Sequence, residues 1–433
     1  MPLRTKLRIV LWCVAMLCSC HAVAQPAFDA IRQNRNLAAS NYMVYPDTLE
    51  HPMTPPPEGK TPFYLSHYGR HGSRYLSNKK AYDIPYSILK QADSLNKLTD
   101  CGKMVFREVC LMRDGSAGRH GDLTELGNEQ QRGIVRRMVE HFPEVFRGNA
   151  VVQARSTTKT RCVLSMGAAL QQLVVLNPQL QINMDASEHD MWFMNYQDSL
   201  LRATMMGGGA QDAYDAFTFK REHNERLMKE LFNDSVYVRM HVDDQWLNYY
   251  LFKVASILQN TPLRSQFSLY DIFTDEEIYR IWQKENAWWY ICYGPSLLNG
   301  GKEPYTQRHL LRRIIQDADS CIQLEKPGVQ LRFGHETMVL PLVCLMDING
   351  FGFQTKDLEE VEANGWWALK VFPMAANLQF VFYRESPGDH DVLVKVLLNE
   401  KEAQLPVRTD CAPYYHWADV RRFYLEKLDA YGE

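Results

Sequence analysis

Phe63-Tyr64-Leu65-Ser66-His67-Tyr68, stopping at Gly69 and followed at once by Arg70-His71-Gly72-Ser73-Arg74, is the stretch on which the reading turns. Its first six residues are rich in β-formers and predict a buried strand. The residues after it leave that strand at the carboxyl end, where open α/β sheets bind their ligands. A histidine placed there faces a ligand instead of the core. Arg70 and Arg74 flank it at positions −1 and +3. Guanidinium groups stay charged and offer paired N–H donors that match phosphate oxygens. Gly69 and Gly72 let the backbone turn tightly around such a group. A neutral imidazole among arginines is a candidate nucleophile toward phosphorus, because the cations attract an anion and disfavour protonation of the ring.

Working outward, further strands are predicted at Val151-Val152-Gln153-Ala154, at residues 329–333 and at residues 378–383. Residues 392–398 read as the hairpin or edge partner of the last of these. Helices are expected from about residue 161 to residue 175 and directly after Gly334. Strands alternating with helices predict an α/β core with a mostly parallel, doubly wound sheet flanked by helices. The block 186–300 differs. Residues 213–232 and 244–259 are helical in pattern, and Thr274-Asp275-Glu276-Glu277 is a capping box opening a helix that carries Trp282, Trp288 and Trp289. The expected organisation is a leader over 1–24, a first part of the core over 25–185, an all-helical cap insertion over 186–300 and a second part of the core over 301–433. Residues 41–62, with six prolines from Pro46 to Pro62, read as a stiff, extended lead-in to the first strand.

Composition narrows the function classes. Hydrophobic residues at 46% and charged residues at 23% are ordinary globular usage, which excludes disorder, collagen and coiled coil for the whole chain. A net charge of −3 lacks the basic excess of a nucleic-acid binder. At the N-terminus, Arg4, Lys6 and Arg8 precede an apolar run over 9–17, and Ala22-Val23-Ala24 stands before Gln25. These are the three regions of a secretory signal peptide, cut after Ala24. Leu17-Cys18-Ser19-Cys20 also fits a lipoprotein box, an alternative in which Cys20 carries lipid and anchors the chain to a membrane. The run is shorter than the about 20 residues that a bilayer span needs. An exported chain, periplasmic or extracellular and without a transmembrane span when mature, is therefore expected. Outside the leader remain Cys101, Cys110, Cys162, Cys292, Cys321, Cys344 and Cys411, an odd set with no Cys-x-x-Cys spacing, so zinc and redox motifs find no support.

The Arg-His-Gly triplet occurs twice. Arg119-His120-Gly121 follows a polar stretch, has no strand before it and no arginine at +3; it reads as a chemically idle loop. Three other strings matter more. Gly121-Asp122-Leu123-Thr124-Glu125-Leu126-Gly127 opens a helix with Thr124 as N-cap and is given no catalytic role. Arg155-Ser156-Thr157-Thr158-Lys159-Thr160-Arg161 lies at a strand-to-helix junction, where a helix N-terminus favours an anion. Phe333-Gly334-His335-Glu336-Thr337 lies at another such junction. Together with Arg70–Arg74, and in this order, these strings resemble the histidine phosphatase superfamily. They are similar to its larger branch of acid phosphatases, phytases and multiple inositol polyphosphate phosphatases.

That resemblance implies a phosphoric monoester hydrolase working without metal or cofactor. It implies His71 as the nucleophile that becomes a phosphohistidine, and Arg70, Arg74, Arg161 and His335 as holders of the phosphoryl oxygens. Glu336 would be the general acid, and the partner a small phosphorylated molecule, an inositol phosphate or a sugar phosphate. One departure stands out. Most acid phosphatases and phytases have Asp after that histidine, and the inositol phosphatases have His-Ala-Glu-Thr. An ungapped match on Pro341 puts Thr337 at the glutamate of the latter. Threonine is no acid of useful pKa, so Glu336 takes the role. Lys159, beside Arg161, is a candidate for a non-reacting phosphate of a highly phosphorylated substrate. Rival readings are a broad-specificity acid or sugar phosphatase, mutase-like phosphoryl transfer, and a non-catalytic phosphoryl-binding module. The last would be marked by loss of His71 or Glu336, and both are present.

Overall fold

Thr61–Arg70 forms strand β1, and from Phe63 onward every residue of it is buried. A strand covered on both faces has no polar side to show, so it reads as a near-continuous apolar run. The structure, a computed structural model, describes residues 26–46, 52–326 and 328–431; the expected leader and Cys20 lie outside them. The remaining strands are β2 (Val151–Ser156), β3 (Gln181–Asp185), β4 (Gly328–Gly334), β5 (Asn377–Arg384), β6 (Leu393–Leu398), β7 (Lys401–Glu402) and β8 (Tyr414–His416). The longer helices are α1 (Pro26–Gln33), α2 (Lys80–Ser94), α3 (Asp100–Gly115), α4 (Glu125–His141), α5 (Thr160–Leu176), α6 (Ala210–Phe219), α7 (Glu225–Leu231), α8 (Asp244–Leu258), α9 (Asp275–Tyr293), α10 (Arg308–Ile322), α11 (Glu336–Met346) and α12 (Trp417–Tyr431).

The sheet is ordered β3-β2-β4-β1-β5-β6-β7, with β8 also on β6. It is mixed, which corrects the mostly parallel expectation. From β3 to β1 the pairing is parallel, and from β5 onward it is antiparallel. The cause is connection length. Parallel neighbours need a crossover, supplied here by helices, whereas β5 and β6 are joined by a short hairpin and must run oppositely. β6 is not an edge, because β7 and β8 continue beyond it. On one face of the sheet Leu65, Val152, Leu331 and Val381 meet α4 and α5 through Ile134, Met138, Met166 and Leu173. On the other, Tyr64, Tyr68, Phe380 and Phe382 meet α10, α11 and α12 through Ile314, Leu342, Val420 and Tyr424.

Between β3 and β4 the described residues contain helices and no strand, as read for the block 186–300. The capping box at Thr274 is formed in both directions with Glu277. The helical layer is wider than that block. α7, α8 and the first half of α9 pack against α1, α2 and α3 through Leu227, Leu251, Trp282, Ile31, Leu89 and Val109. α6 and the second half of α9 instead join the sheet-side core through Phe217, Trp289 and Ile291. The apolar spacings of α2 and α3 announce a buried face, but spacing does not say which neighbour covers it. All the cysteines outside the leader are free thiols.

Candidate active site

Three parallel strands end side by side. In register, Arg70 pairs with Gly334, and Ser156 with Phe333. The next residues, His71, Thr157 and His335, therefore emerge together at the carboxyl edge. The loop after β1 lies directly on the first turn of α4. A Cβ on Gly72 would fall 2.3 Å from the carbonyl oxygen of Gly127, and one on Gly127 would fall 2.4 Å from that of Ser73. Only glycine fits at either position. The Ser73 carbonyl accepts from the backbone N–H of Thr124 at 2.8 Å and from its hydroxyl at 3.1 Å. Thr124, read only as a helix cap, thus also fixes the loop that carries His71.

His71 is fully buried. Its Nδ1 lies 2.9 Å from the Gly72 carbonyl oxygen, which can only accept, so the proton sits on Nδ1 and the lone pair on Nε2. Burial, then Arg70, hold the ring well below the ordinary histidine range, with Glu336 opposing and Arg74 and Arg161 assisting; it is neutral. His335 faces it, ring centroids 5.7 Å apart at 70°, with Nε2 3.1 Å from the Thr157 hydroxyl. His335 is the N-cap residue of α11, but its side chain makes no capping bond. Burial lowers its pKa to about 4.

The cations surround these rings. Arg70 donates from Nη1 to the carbonyls of Asn41 (2.6 Å) and Phe372 (2.7 Å). Burial brings its pKa to about 10, against the pull of Glu336 and with that of Arg74. Arg74 donates from Nη1 to the Tyr75 carbonyl and lies over the Tyr42 ring at 5.6 Å. Arg161 stands at the start of α5, half-buried, its pKa lowered by burial and by Arg74. Arg70 Nε and Nη2, Arg74 Nε, Arg161 Nε and His71 Nε2 are all buried with no hydrogen bond. Buried polar groups are almost always satisfied, so this convergence points to an anionic ligand.

Glu336 enters from the first turn of α11. Its Oε2 lies 3.1 Å from Arg70 Nε and 3.7 Å from His71 Nε2; its Oε1 lies 3.8 Å from Arg74 Nη2. The amide of Asn41 donates to Oε1 at 3.3 Å. Burial alone would raise its pKa, but Arg70, with Arg74, outweighs it and holds the carboxyl well below the usual range. Donor atoms of His71, His335 and Glu336 lie within 4.8 Å of one another, a spacing that could hold a metal ion. Three guanidinium groups beside them make the place positive, which suits an anion and not a cation. A second set, Asp410, Cys411 and His416, is partly exposed, and both ring nitrogens of His416 already face carboxylates.

Six of the residues singled out from the sequence thus converge: Arg70, His71, Arg74, Arg161, His335 and Glu336. Lys159 does not join them. It is exposed at the N-cap of α5, and its side chain makes no hydrogen bond or ion pair among the described residues. Arg119 and His120 sit in a turn, as expected. Sequence reading missed Asn41, Tyr42, Thr157 and Asn260. Asn260 joins two site segments, accepting from the Ser73 hydroxyl at 2.7 Å and donating to the Tyr42 carbonyl at 2.7 Å. Thr157 lay inside a quoted motif, and its hydroxyl beside Arg161 was the available signal. Asn41 had been absorbed into the extended lead-in, although Arg35–Tyr42 is a short helical segment.

Comparison with known proteins agrees with this geometry. The model of the histidine phosphatase superfamily (branch 2) matches residues 69–399. Multiple inositol polyphosphate phosphatase 1 of Gallus gallus is 24% identical over 328 residues, covering 71% of this chain and 69% of that protein. The crystal structure of the Bifidobacterium longum multiple inositol polyphosphate phosphatase in complex with inositol hexasulfate is similar with a TM-score of 0.72. The identity is 16%, over 89% of this chain and 96% of that one. The phytase from D. castellii gives 0.63 at 14% identity, over 92% and 86%. At such identities the structures speak for the fold.

Proposed function

From a chain that belongs to the histidine phosphatase superfamily, branch 2, and is a phosphoric monoester hydrolase, we propose an exported inositol polyphosphate phosphatase that works through a phosphohistidine on His71. The observation that carries the reading is the set of buried, unbonded nitrogens on Arg70, Arg74, Arg161 and His71. The guanidinium groups suit the negative charge of a phosphoryl group, and the lone pair of His71 Nε2 suits its phosphorus. The resemblance to inositol polyphosphate phosphatases supplies the substrate class.

The proposed steps use the groups of this site. Nε2 of His71 attacks phosphorus while its Nδ1–H stays on the Gly72 carbonyl, which stabilises the positive ring that forms. Arg70, Arg74, Arg161 and His335 take the three non-bridging oxygens as their charge redistributes. As the ester P–O bond breaks, its electron pair passes to the leaving oxygen, and Glu336 gives that oxygen its proton. In the second step Glu336 takes a proton from water, the water oxygen attacks phosphorus, the P–N bond breaks and inorganic phosphate leaves. Glu336 is ionised among the arginines. An incoming phosphate takes those arginine contacts and adds negative charge beside the carboxyl, and both effects raise its affinity for a proton.

Export rests on the charged, apolar and small-residue regions over residues 4–24, and the cap over 186–300 is assigned the selection among phosphate esters. Phosphate release from inositol hexakisphosphate, sugar phosphates and p-nitrophenyl phosphate, measured across pH with His71→Ala as control, tests the reading. A sugar phosphate turned over faster than every inositol phosphate would favour a general acid phosphatase. Lys159→Ala should raise KM for inositol hexakisphosphate more than for the aryl ester; equal effects would return Lys159 to the solvent.

A further inference from the structure

Of the contacts that Glu336 makes, three are with groups that a phosphoryl ligand would claim: Arg70, His71 and Arg74. The fourth, the Asn41 amide at 3.3 Å from Oε1, is not. Asn41 is buried, and its own backbone carbonyl holds Arg70 Nη1 at 2.6 Å. One residue therefore touches both the carboxyl and the arginine beside the nucleophile, by different atoms.

The backbone that delivers Asn41 is unusual. Ser40 has φ 53° and ψ −120°, a region that residues with a Cβ rarely occupy and that persists where the surroundings over-determine it. They do so here. Met43 N–H returns to the Ser40 carbonyl, the Tyr42 carbonyl accepts from Asn260, and the Met43 carbonyl accepts from Met374 N–H. Strain of this kind gathers where a side chain must be aimed.

We propose that Asn41 is a positioning residue for Glu336, deciding which carboxyl oxygen carries the proton; this rests on the reading of Glu336 as the acid. An amide N–H donor needs an acceptor lone pair. With the donor on Oε1, the protonated acid keeps Oε1 as its carbonyl oxygen and presents the hydroxyl on Oε2. Oε2 is the oxygen nearer to His71 Nε2, so it is the one turned toward a phosphoryl group bound there, whose ester oxygen departs on the side of phosphorus away from the nucleophile. When phosphate takes the arginines, Asn41 is the contact that remains to hold the carboxyl in this orientation. In the transfer the Oε2–H bond breaks, the proton goes to the departing ester oxygen, and the electron pair left on Oε2 returns the carboxylate to the Asn41 amide.

The test is the single-turnover rate of the first step in the full chain, read as phosphoenzyme formation, from inositol hexakisphosphate, an alkyl ester, and from p-nitrophenyl phosphate, whose leaving group needs no proton. Asn41→Ala should slow the alkyl ester by about tenfold to a hundredfold, the usual cost of a misplaced catalytic group, and the aryl ester far less. In a Glu336→Gln background it should add little, because coupled residues are not additive. Asn41→Leu, which keeps the approximate size and removes the donor without adding a charge, should reproduce the ester selectivity, and serves if the alanine variant does not fold. Equal slowing of both esters, or full additivity with Glu336→Gln, would overturn the proposal, since a merely structural role disturbs Arg70 for every substrate. If Glu336→Gln itself shows no ester selectivity, the acid assignment falls; if it does and Asn41→Ala does not, the proposal alone falls.

Discussion

Arg70-His71-Gly72 and Arg119-His120-Gly121 are the same three residues in opposite surroundings. The first leaves a buried strand at the middle of the sheet, with His71 and Arg70 fully enclosed. The second sits in a turn, with Arg119 exposed, its guanidinium over the Tyr75 ring at 4.8 Å and its Nη1 donating to the Tyr75 hydroxyl. His120 rests against Tyr82, ring centroids 5.8 Å apart. Among the described residues neither Arg119 nor His120 forms an ion pair. The chemistry belongs to what the sheet brings to the triplet, a second arginine at +3, a third from α5 and a carboxyl from α11, and not to the triplet itself. The idle copy has a use all the same, since Tyr75, on which Arg119 lies, is the neighbour of Arg74.

The comparison breaks most visibly at the two histidines. His71→Ala should cut phosphate release by more than about a thousandfold, the loss expected on deleting a nucleophile, with circular dichroism unchanged. His120→Ala should stay within about twofold of wild type, as surface changes away from a site usually do. Comparable losses in the two variants would dissolve the distinction. Next comes Glu336, the proposed acid, which stands beside the first copy and not the second. Glu336→Gln should slow the first step by about 10²–10⁴-fold for alkyl phosphates and far less for p-nitrophenyl phosphate, read as burst rates. A small, equal loss for both would send the search for the acid into the helical layer.

The arginines sharpen the contrast further. Arg161→Ala should cost about 10²–10³-fold in kcat, the range for removing one donor to a developing charge. Arg119→Ala should leave kcat nearly intact and lower stability by about 0.5–1 kcal/mol through the lost stack on Tyr75, seen as a small fall in Tm. The smallest effect is in pH dependence. The pKa of His71 lies well below the unfolded value of 6.5, so below that pH the unfolded chain binds more protons, and stability falls as pH falls. His335, at about 4, and His67, lowered by burial to about 3, act in the same sense. His71→Asn should flatten the decline of Tm between about pH 6.5 and 4.5, and His120→Asn should not.

Much of this was legible in the chain because its signals were local. The strand before Arg70, the junctions at Arg161 and His335 and the capping box at Thr274 each declare themselves within a dozen residues, by burial pattern or turn chemistry. Where the reading fell short, the determinant was distant. β3, with only one of its five residues out of full exposure, shows none of the apolar run that betrays a central strand. In the antiparallel half of the sheet the β5–β6 hairpin was read, but the antiparallel pairing of β5 with β1, strands far apart in the chain, was not. Asn41 carries no motif at all. Its partners are reached only through the folded chain, and a polar residue near prolines reads as loop in any window.

That last residue also says something about when this protein becomes an enzyme. Asn41 meets Glu336 across 295 positions, Arg70 meets the Phe372 carbonyl across 302, and Asn260 reaches Tyr42 across 218. Closing loops of such length is slow and comes late in folding. The earliest-made segment of the pocket waits for nearly the whole chain, up to the backbone of Ala376 that holds Arg70 N–H. No partial chain still on its way out of the ribosome can assemble the site. Phosphatase activity therefore serves as a report of completed folding.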